Sequence, residues 1–87
     1  MIPTYVEPHP EKGELRIGWA SWDDGYKHRS VKWAYPDVSG KISRGSPELP
    51  FNILVDMVLL AYKQSELSTA EVKRLRKALA VIREKRV

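Results

Sequence analysis

Two alternating runs flank an Asp-Gly turn, and that arrangement leaves the chain little choice of local structure. In ELRIGWASW, residues 14–22, Leu15, Ile17 and Trp19 fall on one side of an extended chain; Arg16, Gly18, Ala20 and Trp22 fall on the other. Residues 27–35 alternate too, with Val31, Trp33 and Tyr35 on one side and His28, Ser30, Lys32 and Ala34 on the other. Successive side chains of a strand point to opposite faces, so period two predicts two strands. Asp23-Asp24-Gly25 lies between them. Glycine tolerates positive φ and aspartate bonds its own backbone, which predicts a hairpin.

The flanking segments extend this sheet and then end it. Pro3, Pro8, Pro10 and Gly13 make residues 1–13 an extended arm with a short edge strand at Thr4–Glu7. Pro36-Asp37-Val38-Ser39-Gly40 reads as a second turn, KISRG (41–45) as a short third strand, and Ser46–Pro50 as a brief fourth. At Pro50 the period changes. Phe51, Leu54, Val55, Val58, Leu59 and Tyr62 recur at i, i+3, i+4 spacing, predicting a helix over 50–65. Ile53, Met57, Leu60 and Ala61 carry its apolar surface well round the cylinder, more than one sheet face covers. Ser68-Thr69-Ala70-Glu71 is a capping box that opens a second helix, 69–86, with the stripe Val72, Leu75, Leu79 and Ile82 and Ala78 beside it. The fold class is therefore α+β: an antiparallel sheet of about four strands followed by two helices. Residues 1–13 form the arm and 14–87 a single domain.

Composition narrows the function. A chain of 87 residues is one small domain of marginal stability alone, and dimerisation would remedy that. There is no cysteine, and His9 and His28 are too far apart in sequence to suggest a metal site, so no metal or other cofactor is expected. Met1-Ile2-Pro3 is followed by polar residues and prolines, unlike a signal peptide, and no apolar run is long enough for a bilayer. A cytoplasmic protein with no membrane role and no small-molecule substrate is expected. No nucleophile–base constellation or glycine-rich phosphate loop appears, and adjacent Asp23-Asp24 suit a turn better than acid–base chemistry, so no enzyme is expected.

The basic residues point elsewhere. Residues 68–87 hold seven cations (Lys73, Arg74, Arg76, Lys77, Arg83, Lys85, Arg86) against Glu71 and Glu84, while the rest of the chain is near neutral. That helix is either a solvated face or a supplementary phosphate contact. The hairpin region carries Arg16, Lys27, Arg29, Lys32, Lys41 and Arg44 among Trp19, Trp22, Tyr26, Trp33 and Tyr35. Cations that track phosphates beside aromatics that stack bases are what a single-strand platform requires, although any half-solvated sheet has a similar composition. Leu15, Ile17, Trp19, Val31, Trp33 and Tyr35 are the stronger apolar set, expected to pack under helix 50–65. Arg16, Trp22, Lys32 and Arg29 are then expected to face outward, with Trp22 either stacking bases, with Tyr26, or closing the hairpin.

The segments LRIGWASWDDG, YKHRSVKWAY, SGKISRG and SPELPFNILVDMV, over about residues 14–65, carry a resemblance. In element order, turn placement and the Arg44-Gly45 step before the final strand, the chain resembles the positive-cofactor-four type of transcriptional coactivator and single-stranded DNA-binding protein. The resemblance implies a homodimer formed through the helix, whose curved sheets make a basic, aromatic-bearing channel. Carried over by position, Arg16, Trp22, Lys27, Arg29, Lys32, Lys41 and Arg44 would line it. The departures are a thin lysine content around the third strand, the arm 1–13 and the added helix 69–86, which would either cap the dimer or cover helix 50–65 in its own chain. The expected function is binding of single-stranded DNA or RNA in a transcription or replication accessory. The rival is a protein-interaction or assembly module built on the apolar helices.

Overall fold

The computed structural model describes residues 1–22, 24, 25 and 27–86, the last five of these by backbone alone. The turn residue Asp23, the stacking candidate Tyr26 and the side chain of Ile82 thus lie outside the described set. Strands β1 (Ile2–Pro8), β2 (Glu14–Trp19), β3 (Arg29–Ala34) and β4 (Glu48–Pro50) precede helices α1 (Phe51–Lys63) and α2 (Thr69–Arg86). The strands pair antiparallel in the order β1-β2-β3-β4, so the architecture is α+β, as expected. The chain divides into two compact units, Met1–Leu54 and Val55–Val87.

The alternation sets the register of the first unit. Leu15 pairs with Trp33, Ile17 with Val31 and Trp19 with Arg29; between them Arg16 pairs with Lys32 and Gly18 with Ser30. The Ala20 N–H donates to the His28 carbonyl at 2.8 Å and closes the ladder. Tyr5 lies opposite Ile17, Glu7 opposite Leu15, and Leu49 opposite Val31, so these share the face of Leu15 and Ile17. The edge strand β1 is longer than the expected Thr4–Glu7 and shifts register between Pro3 and Tyr5. Pro3 near its start and Pro8 at its end blunt the exposed edge. Gly18 makes the pairing possible, because a Cβ there would sit 2.1 Å from the Ile2 carbonyl oxygen.

Residues 41–45 form no strand of this sheet. The Asp37 carboxylate accepts bonds from the Ser39 amide at 2.8 Å, the Ser39 hydroxyl at 2.6 Å and the Lys41 amide at 3.2 Å. Gly40 takes φ of +85°, and only a single bridge, Pro36 to Ile42, pairs the two sides. A side chain that satisfies the local amides curls the segment into a turn, and β4 takes the place beside β3.

The first helix runs over 51–63, shorter than the expected 50–65. Its stop is a Schellman motif: Ser65 N–H bonds to Tyr62 O at 3.1 Å, Glu66 N–H bonds to Ala61 O at 2.9 Å, and Ser65 takes φ of 57°. A non-glycine residue pays for that left-handed conformation. Ser65→Gly should therefore raise stability by about 1 kcal/mol, read as a higher denaturant midpoint in urea. The second helix opens with the expected capping box. Glu71 N–H donates to Ser68 Oγ at 3.1 Å, and Ser68 N–H donates to Glu71 Oε1 at 2.8 Å.

Large apolar side chains are poorly covered. Ala20 and Ala34 are the buried hydrophobic residues among those described, and no residue of α1 is buried. Leu15, Ile17 and Val31 are half-buried, and Leu54 in the first turn of α1 joins Leu15, Val31, Trp33 and Leu49 round a cleft of about 180 Å³. The expected cover of this sheet face by the helix reaches no further within the first unit. In the second unit Val55, Met57, Leu59, Leu60, Tyr62, Leu75 and Leu79 are all exposed, Leu60 at 60% and Leu79 at 66%.

Candidate functional site

The face bearing Leu15, Ile17 and Val31 carries two cation–aromatic groups. At one end the Arg29 guanidinium lies 4.5 Å from the centroid of the Trp19 ring. Its position is fixed from the edge strand: Arg29 Nη2 donates to Thr4 Oγ1 at 2.6 Å, and the Thr4 hydroxyl donates to the Ile17 carbonyl at 3.2 Å. The shifted register at Thr4 aims that hydroxyl across β2. At the other end the Trp33 and Tyr35 rings lie 4.8 Å apart with a tilt of 49°. The Lys12 ammonium is 5.0 Å from the Tyr35 centroid and 6.0 Å from that of Trp33.

These residues were expected in the core, yet Trp19 is 37% exposed and Trp33 and Tyr35 are half-buried. A cation over an exposed ring is worth about 0.5–1 kcal/mol. A base stacked on an aromatic is worth about 1–3 kcal/mol. A planar ring stacked on either aromatic would thus gain more than the cation contact it displaces.

The opposite face is charge-balanced. Arg16 Nε donates to Glu14 Oε1 at 2.6 Å, and Lys32 lies across from Glu48 in the register. The Glu48 carboxylate accepts the Ser21 amide at 3.1 Å, the Ser21 hydroxyl at 2.8 Å and the hydroxyl of fully buried Ser30 at 3.1 Å. Desolvation works to raise the Glu48 pKa, but the Ser21 and Ser30 bonds outweigh it and hold it below the usual value. Hydrogen bonds from Ser39 lower Asp37, and those from Ser68 lower Glu71.

A carboxylate depressed in the folded state stabilises above its unfolded pKa of about 4 and loses that contribution as pH falls through the folded value. The urea midpoint should therefore be level from pH 7 to about pH 5 and fall below about pH 4. Glu48→Gln should flatten that acid limb, and an unchanged limb would exclude Glu48 as a contributor.

The seven residues expected at the site do not share one face. Arg16 and Lys32 are neighbours on the balanced face, and Arg29 lies on the other, over Trp19. Trp22 and Lys27 belong to the connection beyond the β2–β3 ladder, with Trp22 46% exposed. Ser21, held by Glu48, takes the chain off the ladder before Trp22, so Trp22 is not on the sheet. Lys41 and Arg44 are exposed in the β3–β4 connection. Lys12 and His9, which flank Trp33, were not singled out. The signal for Lys12 was its place beside Gly13, in the turn that brings β1 onto β2. Among the described residues no cluster of His, Cys, Asp and Glu could hold a metal ion, and no helix is long and apolar enough to cross a membrane. Comparison with family models, with curated proteins and with solved structures finds no match.

Proposed function

We propose that this chain binds single-stranded DNA or RNA without catalysing a reaction, through the aromatic face of its sheet. The observation that carries the reading is Arg29 over Trp19: a cation and a stacking ring adjoin on a face where the ring stays 37% exposed. Bases stack on Trp19, Arg29 meets a phosphate, and Lys41, Arg44 and Lys27 add charge from the connections. The sheet-then-helix order is the part of the resemblance to positive-cofactor-four-type proteins that accords with this reading; residues 41–45, which carried its third strand, form none. Intrinsic tryptophan fluorescence tests it: addition of a single strand of about 20 nucleotides should quench the emission. Binding with unchanged emission would place the bases away from the aromatic face.

A homodimer belongs to this reading. Isolated helices of this length are marginal in water, and the exposure of Val55, Met57, Leu59 and Leu60 together on one helix favours association. The same surface favours the rival, an assembly module without nucleic acid. Sedimentation equilibrium with and without oligonucleotide separates them: the rival self-associates and binds no strand at low salt.

A further inference from the structure

The Trp33–Tyr35 pair is built into the fold by the turn between β1 and β2. His9 N–H bonds to Gly13 O at 3.0 Å, and Glu11 N–H bonds to His9 Nδ1 at 3.2 Å, which closes the turn and orients the imidazole. Gly13 has φ of +71°, and a Cβ there would lie 2.2 Å from the Ala34 carbonyl oxygen, so the turn is seated directly on β3. Trp33 Nε1–H donates to Lys12 O at 3.2 Å, and the His9 ring lies 5.9 Å from that of Trp33. The polar atom of the indole is thereby satisfied by protein, and the ring is left to make apolar contacts. Beside it opens the cleft of about 180 Å³ lined by Leu15, Val31, Pro47, Leu49 and Leu54.

We propose that this is a base-binding subsite: an unpaired nucleobase stacks on Trp33 and Tyr35 against the cleft, and Lys12 moves from the rings to the adjoining phosphate. The proposal rests on the reading of this face as a single-strand surface and adds a second stacking point to it. Trp19–Arg29 and Trp33 stand four residues apart along β3, about 13 Å, so a strand laid along β3 meets both. Lys41 and Arg44 supply charge from the connection whose Ser43 amide bonds to Tyr35 O at 2.8 Å. The acids on this side are partly engaged: Glu7 accepts the Tyr5 hydroxyl at 3.1 Å, and Asp37 holds its own turn.

The test leaves Trp33 as the sole tryptophan, in the double variant Trp19→Phe, Trp22→Phe, and titrates it with oligothymidylate. Quenching of the remaining emission, and an affinity about tenfold lower on adding Lys12→Ala, is the expected result. In the unaltered protein the His9 imidazole proton signals, assigned by NMR, should shift on saturation with oligothymidylate; this readout needs no substituted variant to fold. Strand binding with Trp33 emission and His9 signals unmoved would overturn the subsite and leave the face reading intact. A Trp33 shift driven by protein concentration and not by oligonucleotide would give the cleft to a second copy and also overturn it. Absence of any strand binding by the unaltered protein would remove both readings together.

Discussion

Replacing Trp19 with Leu and Arg29 with Gln together should weaken single-strand binding by between tenfold and a hundredfold. In the proposed reading this pair, with the Arg29 guanidinium 4.5 Å from the Trp19 ring, would supply one stacking ring and one phosphate contact on the same face. Loss of a stacked base accounts for about 1–3 kcal/mol, and each 1.4 kcal/mol is a factor of ten. Loss of the phosphate contact should also lower the slope of log affinity against log salt by about 1. Leucine keeps an apolar side chain between Ile2 and Arg29 in the register, so the fold should survive. The control is Arg16→Gln. Arg16 is on the balanced face and already bound to Glu14, so its loss should change affinity by less than about threefold. If Arg16→Gln matters more than the Trp19 and Arg29 changes, the strand lies on the other face.

Gly18→Ala is expected to be one of the two most damaging methyl additions at the glycines, with Gly13→Ala, whose Cβ would lie 2.2 Å from Ala34 O at a φ of +71°. At Gly18 the added Cβ would lie 2.1 Å from Ile2 O and 2.8 Å from Pro3 Cα, both backbone atoms that cannot swing away. The strands must separate, at about 3 kcal/mol, a large share of the stability of a domain this small. Gly45→Ala is the matched control, with the Tyr35 hydroxyl at 3.4 Å and room to adjust, and should move the urea midpoint little. Displacing β1 also withdraws Thr4 from Arg29. Gly18→Ala should therefore weaken strand binding as well as stability. A normal midpoint would mean that β1 is not held against β2 in solution.

How far the chain could be read in advance follows from which forces are local. Strict alternation over 14–22 and 27–35 specified two strands, of which β2 keeps 14–19 and β3 29–34; the change of period near Pro50 specified α1, and Ser68 with Glu71 specified the start of α2. Each depends on near neighbours. Arg29 shares parity with Val31 and Trp33, so its face was legible, but its charge suggested solvent; the Trp19 ring and Thr4 hydroxyl that hold it come from two other strands. Trp22 continued the alternation on paper, yet Glu48, 27 residues away from Ser21, draws the chain off the ladder. Residues 41–45 looked extended, and the Asp37 carboxylate curls them. Helix α1 showed apolar residues most of the way round, and none of its residues is buried, so the pattern marked an apolar helix without showing what covers it.

The most direct measurement is fluorescence anisotropy of a labelled strand of about 20 nucleotides titrated with the full chain at low and moderate salt, with duplex of the same sequence as control. Binding that prefers the single strand and weakens steeply with salt is the predicted result. Absence of binding at low salt, or equal binding of duplex, would contradict a single-strand platform on the aromatic face and leave the basic residues as solvation around an assembly surface.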